Sequence, residues 1–167
     1  MVNIAYSMQE TVRVADEGAK EVTSWLEGKG YKVLNVENDK TYQDLDIDLI
    51  VTKLNEGRTE VFTVEIKVDR YTSGNFFFEI TSNKTKGTPG CILYTNSDYI
   101  IYYFIKTKEL YVITTCKLRK YLLTNQNKFT KKECTSLAGK GSYQSEGLLI
   151  PKATLEKSLG AKKSYLK

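Results

Sequence analysis

Acidic and basic side chains interrupt two apolar segments that have the pattern of neighbouring β-strands. Asp46 and Asp48 come at the start of the first segment, and Glu65 and Lys67 lie two positions apart in the second. Because side chains alternate in direction along a strand, Glu65 and Lys67 point to the same face. The turn between the strands lies near Glu56–Arg58, and this register places Asp48 opposite Glu65. We therefore expect two carboxylates and one ammonium to meet at one point of a sheet.

The chemistry of such a group follows from its charges. Two neighbouring carboxylates repel each other unless one takes up a proton or a cation lies between them. Carboxylate oxygens suit Mg²⁺ or Mn²⁺, and the backbone carbonyl of Ile66 can add a further ligand. Such an ion activates water for attack on a phosphodiester, and the Lys67 ammonium can offset the developing charge. The alternative is a cross-strand salt bridge on a solvated face of the sheet.

The composition limits the chemistry that is open to the chain. Its 167 residues contain no histidine and three cysteines, none of them in a CxxC pair. The absence of histidine excludes Ser-His-Asp and Cys-His catalysis as well as the common zinc sites. We expect Cys91, Cys116 and Cys134 to be small buried apolar residues. Catalysis must then use carboxylates, lysines, tyrosines or hydroxyls.

Charge and hydropathy indicate the kind of partner. The net charge is +5, and many of the twelve tyrosines adjoin lysines. This composition is compatible with nucleic acid, through phosphate contacts and base stacking, although tyrosine is also a common strand residue. No apolar run reaches the ~18 residues of a membrane-spanning helix, and the N-terminal segment lacks the features of a signal peptide. We expect no membrane association and a cytoplasmic location.

The pattern of the chain predicts an α/β fold, with one domain over residues 1–167 in which strands lie between helices. Apolar residues recur at helical spacing up to Glu27, where the sequence GKG ends the first helix. Strands are predicted at YKVLNVE, DIDLIVTKL, TEVFTVEIKV, NFFFEITSN, DYIIYYFI and LYVITT. KLRKYLLTNQ is predicted to be a short helix, KKECTSLAGKGSYQSEG a loop or mobile flap, and LLIPKATLEKSL a short strand and a last helix.

Segments along most of the chain resemble the PD-(D/E)XK nuclease superfamily, in particular its small phage and prophage proteins. These segments are DIDLIV, VEIK, the DRY that follows it, GNFFFE and GCILYTNSDYIIYYF. The resemblance implies a restriction-endonuclease-like fold, in which helices flank a central mixed β-sheet. It also implies an endonuclease that hydrolyses DNA with Mg²⁺ or Mn²⁺, acts as a homodimer and is found in the host cytoplasm if phage-encoded. Branched DNA is a substrate by family analogy.

The resemblance also assigns roles to residues of the motif. It implies that Asp48 and Glu65 hold the metal, which the carbonyl of Ile66 can also reach, and that Lys67 assists the attacking water. Asp46 is the competing choice for the first aspartate. Asp48 is preferred because it directly precedes the apolar LIV run and fits the register of the hairpin.

Further charged residues are candidates for the site or its surroundings. An acid within a phenylalanine run is costly unless it is paired or functional, so Glu79 is expected to take part in catalysis. Many relatives add an acid from the first helix, for which Glu17 and Glu21 are candidates, the alternative being a solvated helix charge. Asp69 and Arg70 follow the triplet and are expected to be a pair in a loop, the alternative being a phosphate contact. The residues predicted to line a path for DNA are Lys84, Lys86, Lys117 and Arg119.

A second hypothesis keeps the same fold without catalysis. The chain is then a module that binds nucleic acid or a protein. The intact set of aspartate, glutamate and lysine favours the nuclease.

Overall fold

Two β-sheets form the framework of the computed structural model, which describes residues 8–138 and 141–166. Its helices are α1 (Met8–Gly28), α2 (Lys40–Gln43), α3 (Cys91–Tyr94), α4 (Thr115–Asn125) and α5 (Lys152–Leu159). Its strands are β1 (Lys32–Asn35), β2 (Leu49–Asn55), β3 (Arg58–Asp69), β4 (Asn75–Asn83), β5 (Thr88–Pro89), β6 (Tyr99–Phe104), β7 (Glu109–Thr114), β8 (Thr130–Ala138), β9 (Gly141–Pro151) and β10 (Lys162–Tyr165).

The larger sheet is mixed and has six strands in the order β1-β2-β3-β6-β7-β10. Its neighbouring strands are antiparallel except for β3 and β6, which run parallel. The smaller sheet is antiparallel, with the order β5-β4-β9-β8. The expectation of an α/β fold with a mixed sheet and flanking helices is confirmed, whereas the second sheet was not predicted.

Each face of the larger sheet is covered by a different apolar layer. On one face, Val22 and Leu26 of α1 pack against Leu49, Val64 and their neighbours. On the other face, a second cluster joins β6 and β7 to β4 and β9 of the smaller sheet and to α4 and α5. Side chains that alternate along β3 therefore point alternately toward α1 and toward the smaller sheet.

A two-residue turn fixes the register of β2 and β3. Asn55 pairs with Arg58, and Glu56 and Gly57 between them have φ angles of 46° and 80°. Positive φ at both central positions is typical of the hairpin turns whose twist matches that of the strands. The turn lies where the sequence predicts it.

One predicted loop is wrong. The segment KKECTSLAGKGSYQSEG was expected to be a loop or mobile flap, but its described residues belong to β8 and β9, which pair from Thr130–Leu149 to Ala138–Gly141. The pairing of β9 with β4 then completes the smaller sheet. Backbone hydrogen bonds to a neighbouring strand form the ladder here, so the low hydrophobicity of the segment is a poor guide to its structure.

Within residues 8–138 and 141–166, no helix has both the length and the apolar character that crossing a bilayer requires.

The first testable prediction concerns the contact between α1 and β3. A Cβ atom added at Gly18 would lie 2.5 Å from Cγ2 of Val68, whereas one added at Gly28 would have no atom within 4 Å. We expect Gly18→Ala to have a free energy of unfolding about 1–3 kcal/mol below that of Gly28→Ala, because only the first substitution overpacks the core. Urea denaturation measures both values, and equal values would contradict this packing of α1.

Candidate active site

Glu65 and Lys67 form an ion pair on the face of β3 that is turned toward the smaller sheet. Glu65 is only 3% exposed, although its strand neighbours Val64 and Ile66 pack on the opposite face with α1. Nζ of Lys67 lies 2.5 Å from Oε1 of Glu65, and the Lys67 side chain is 36% exposed. The pair therefore joins a buried carboxylate to a group that solvent can reach.

Asp48 directly precedes β2 and lies opposite Glu65, one position beyond the pair Leu49–Val64. Its backbone amide donates to the carbonyl of Val64 at 2.9 Å, which extends the ladder to this residue. Its side-chain Oδ2 accepts a hydrogen bond of 2.7 Å from the backbone amide of Ile66. Residues of β3 thus orient the Asp48 carboxylate. The sequence pointed to the carbonyl of Ile66, whereas the contact found here is made by its amide.

Asp46 also lies near Glu65, in a segment where the chain changes direction just before β2. Asp46 has a φ angle of 54°, a left-handed conformation that aspartate tolerates better than most residues. The hydroxyl of Thr95 donates to its carbonyl at 2.7 Å, and the amide of Asn96 donates to the carbonyl of Leu45 at 2.9 Å. These bonds fasten the segment before β2 to the chain that follows α3.

The short helix α3 brings Cys91 to the same place. Gly90, directly before it, packs so closely on β4 that an added Cβ would lie 1.9 Å from the carbonyl oxygen of Glu79. Nε of Arg119 donates to the carbonyl of Ile92 at 2.8 Å, and its guanidinium also bonds the carbonyl of Thr95. Arg119 therefore holds α3 in position. It was predicted as a DNA contact, but its hydrogen bonds are made to the protein backbone.

Asp46, Glu65 and Cys91 form one group. Each offers one ligand atom, and these atoms all lie within 4.8 Å of one another. Oδ2 of Asp46 and Oε2 of Glu65 are buried and have no hydrogen-bond partner among the described residues. Buried carboxylate oxygens without a partner cost free energy, so this arrangement favours a cation.

The electrostatics of the group agree with this geometry. Burial, together with the nearby Asp48 and Asp46, raises the pKa of Glu65 to about 8 despite the opposing effect of Lys67. Burial also raises the pKa of Asp46. Burial alone would lower the pKa of Lys67, but the Glu65 carboxylate raises it well above its ordinary value. Lys67 therefore keeps its positive charge. This one charge does not offset the burial of Glu65 and Asp46, because the pKa values of both acids stay raised.

The oxygen donors fit a hard divalent cation. Mg²⁺ binds through one or two carboxylates and keeps further positions for water and phosphate. The two unpartnered oxygens of Asp46 and Glu65 meet this requirement, and Asp48 adds a third carboxylate beside them. Cys91 is a soft donor that Mg²⁺ does not select.

The structure does not bring Glu79 into this group. Phe76 and Phe78 point into the core between the sheets, so Glu79 and Phe77 point to the other face of β4. The carboxylate of Glu79 contributes instead to a raised pKa of Cys134, after the larger effect of burial.

The two acids of α1 that were candidates for the site, Glu17 and Glu21, lie near Tyr103 on the opposite face of the larger sheet from Glu65. Glu21 accepts hydrogen bonds from the hydroxyl of Tyr103 and, at 2.8 Å, from Nζ of Lys108. Tyr103 belongs to the cluster that packs against α1, opposite the face of Glu65. Glu17 is exposed on the same helix. The position of α1 therefore separates both acids from Glu65.

The other predicted DNA contacts are exposed lysines. Lys86 and Lys117 are exposed. Lys84 is exposed as well, but it forms ion pairs with Glu133 and, at 3.8 Å, with Glu146. A phosphate that binds Lys84 must therefore compete with two carboxylates.

Sequence reasoning missed a third polar residue on the same face of β3. Asp69 was expected in a loop, but it is the last residue of β3 and is 8% exposed. Its carboxylate accepts hydrogen bonds of 2.7 Å from the hydroxyl of Tyr102 and from the amide of Tyr71. The alternation from Glu65 through Lys67 to Asp69 was the signal that could have revealed it.

The expectation that all three cysteines are buried is also wrong. Cys116 is exposed, and Cys91 and Cys134 are half-buried. Nothing in the sequence around Cys91 marks it as a neighbour of the acids, because α3 and its contacts place it there.

A comparison with solved structures finds a weak similarity to one of them. The solved structure is that of the bacterial homing endonuclease I-Ssp6803I, with 19% sequence identity and a TM-score of 0.42. The match covers 62% of this chain and 64% of that chain, so it spans less than two thirds of either. No protein-family model and no curated protein matches the chain. A similarity of this extent establishes neither the fold nor the activity of the chain. The chemistry that the site can perform must be inferred from its own side chains.

The second prediction concerns the buried proton of Glu65. Its pKa in the folded protein is about 8, against an ordinary value of 4.5, so the folded state binds this proton more strongly than the unfolded state does. The resulting stabilisation is complete below pH 4.5 and is lost as the pH rises through about 8. In EDTA, we expect the free energy of unfolding of the wild type to fall over this range relative to that of Glu65→Gln.

The matched control is Glu60→Gln, because Glu60 is exposed on the same strand. Its stability should follow the wild type at every pH. Parallel pH profiles for the wild type and Glu65→Gln, measured by urea denaturation, would show that Glu65 does not hold a buried proton.

Proposed function

We propose that the chain is a metal-dependent endodeoxyribonuclease that hydrolyses DNA phosphodiester bonds. The observation that carries this proposal is the pair of buried, unpartnered oxygens of Asp46 and Glu65 beside the Lys67 ammonium. Two acids and a lysine around one point suit phosphodiester hydrolysis with a divalent ion. The resemblance to the PD-(D/E)XK superfamily, on the motif of Asp48, Glu65 and Lys67, supports the same proposal.

The charges of the site support a divalent ion. The carboxylates of Asp46, Asp48 and Glu65 carry three negative charges when ionised, and Lys67 carries one positive charge, which leaves two negative charges. One Mg²⁺ or Mn²⁺ ion balances them. Buried charges are tolerated in proteins when they are paired or coordinate a metal, so this balance favours a bound ion.

Each residue has a distinct part in this proposal. Asp46 and Glu65 hold the ion through the oxygens that have no other partner, and Asp48 adds a carboxylate that the Ile66 amide orients. When bound, the ion supplies Lewis-acid activation of the phosphate and of the attacking water. Lys67 keeps its proton, and its ammonium stabilises the negative charge that develops on the phosphate.

The substrate and the assembly follow from the same proposal. The net charge of +5 and the exposed lysines Lys86 and Lys117 give DNA phosphates positive partners. Cleavage of both strands of a duplex needs two sites, which a homodimer supplies. A phage or prophage origin and activity on branched DNA belong to the same proposal, through the family that the motif resembles.

The third prediction tests catalysis directly. With plasmid DNA and Mg²⁺, we expect the wild type to nick or linearise the substrate, and EDTA to abolish cleavage. Lys67→Ala and Glu65→Gln should each lower the rate by about 10²–10³-fold, because the first removes the ammonium that stabilises the developing charge and the second removes a ligand of the ion. Lys106→Ala is the matched control, because Lys106 is an exposed lysine in the turn after β6.

A gel-shift assay in EDTA should show that Lys67→Ala still binds the plasmid. If the wild type and Lys67→Ala bind DNA alike and neither cleaves it, the chain is a binding module and the nuclease proposal fails. Asp46→Asn and Asp48→Asn separate the two aspartates. We expect the first to weaken Mn²⁺ binding more, because its Oδ2 has no partner, whereas Oδ2 of Asp48 bonds the Ile66 amide.

A further inference from the structure

We propose that Cys91, Asp46 and Glu65 together form a site for a thiophilic divalent cation such as Zn²⁺ or Cd²⁺. The proposal goes beyond the magnesium site, because it adds a sulfur ligand that Mg²⁺ does not use. Binding of this ion does not depend on nuclease activity. Its effect on cleavage, which is inhibition by displacement of Mg²⁺, does rest on the proposed function.

The spacing of the three ligand atoms suits such an ion. One atom each of Asp46, Glu65 and Cys91 lies within 4.8 Å of the others. Ligands of a tetrahedral zinc ion, at about 2.0–2.3 Å from the metal, lie about 3.5 Å apart. The three side chains therefore need only small movements to meet one ion. Three protein ligands with a fourth position for water are a common arrangement for zinc.

An independent observation is that two carboxylate oxygens of Asp46 and Glu65 are buried without a hydrogen-bond partner in the described part of the chain. Oε2 of Glu65 is buried and has no hydrogen-bond partner among the described residues, and the side chain is only 4% exposed. Oδ2 of Asp46 is in the same state. Both residues belong to the group that contains Cys91, so a cation there can contact two carboxylates and a sulfur.

The backbone around Cys91 keeps the sulfur at this place. Gly90 packs directly against the backbone of β4, and Arg119 bonds carbonyls in and after α3. Thr95 bonds the carbonyl of Asp46, which ties one ligand to the segment that carries the other. The site is therefore built from three segments that already contact one another.

The thiol must lose its proton when the ion binds. Burial raises the pKa of Cys91 to about 12, so without a metal the side chain is a neutral thiol. Binding forms a sulfur–metal bond, breaks the S–H bond and releases that proton to the solvent. A proton held by the Glu65 carboxyl is released in the same way when its oxygen binds the ion. Neither oxidation nor reduction takes place. A soft thiolate ligand selects Zn²⁺ or Cd²⁺ over Mg²⁺.

Titration with Cd²⁺ in the absence of Mg²⁺ tests this site without any activity assay. Bound thiolate gives an ultraviolet charge-transfer band, which we expect to saturate at one equivalent with the wild type. Cys91→Ser should lose the band, and isothermal titration should show its affinity for Cd²⁺ lowered roughly tenfold or more. Cys116→Ser is the matched control and should keep both the band and the affinity, because Cys116 is exposed on α4.

A second variant keeps the test decisive if Cys91→Ser does not fold, which circular dichroism reveals. Glu65→Gln retains the thiol but loses an oxygen ligand, so its Cd²⁺ affinity should also fall roughly tenfold or more. A band that survives in Cys91→Ser, or that disappears in Cys116→Ser, would overturn the proposal. So would a wild type that gives no band.

A cleavage assay separates this inference from the proposed function. In Mg²⁺, the Zn²⁺ concentration that halves the cleavage rate should be about tenfold higher for Cys91→Ser than for the wild type, each relative to its own rate without Zn²⁺. If the wild type cleaves DNA but shows no cadmium band, the inference fails and the nuclease stands. If the band appears without any cleavage, the nuclease fails and the thiophilic site stands.

Discussion

The burial of Glu65 beside Lys67 is the interaction on which the rest of the site depends. A carboxylate that is 3% exposed loses most of its hydration, and one ammonium at 2.5 Å restores only part of that loss. The second oxygen of Glu65 is buried without a partner among the described residues, and the nearby Asp46 has an oxygen in the same condition. A divalent ion would supply the stabilisation that these acids lack, which is why we propose a metal site here rather than a salt bridge alone.

The fold keeps this group together by joining distant segments. The tight turn at Asn55–Arg58 sets the register that brings Asp48 to Glu65. The hydrogen bond from Thr95 to the carbonyl of Asp46 and the bonds of Arg119 hold α3 against the same place. The smaller sheet packs on the face of the larger sheet to which Glu65 points, and Ile100, the strand partner of Glu65, lies in the apolar cluster between the sheets. Because burial disfavours the ionised form of these carboxylates, a nearby cation has a large effect on their stability.

The local part of this structure could be read from the sequence. Alternation along β3 and the turn residues Glu56 and Gly57 predict a shared face for Glu65 and Lys67, with Asp48 opposite. The mixed sheet follows from the order of strands and helices. These features depend on neighbours in sequence or on one hairpin, for which residue patterns are informative.

The remaining features depend on tertiary contacts that no local pattern contains. The segment that forms most of β8 and the first part of β9 has few apolar residues and is held by backbone pairing, so its composition indicated a loop. Glu79 lies in a strand as expected, but the packing of Phe76 and Phe78 turns it away from Glu65. Glu21 lies on the helix that covers the opposite face, and Cys91 reaches the acids only through the contacts of α3. Residue type suggested the chemistry, while the packing of the sheets decided which residues share the site.

The most direct test of the central claim is a crystal structure of the protein soaked in Mn²⁺, with anomalous scattering used to locate the ion. The account predicts one strong peak at about 2.2 Å from both Oε2 of Glu65 and Oδ2 of Asp46, with Lys67 beside it. A structure in which the ion binds elsewhere, or in which Glu65 stays paired with Lys67 alone and no peak lies between the two acids, would contradict it.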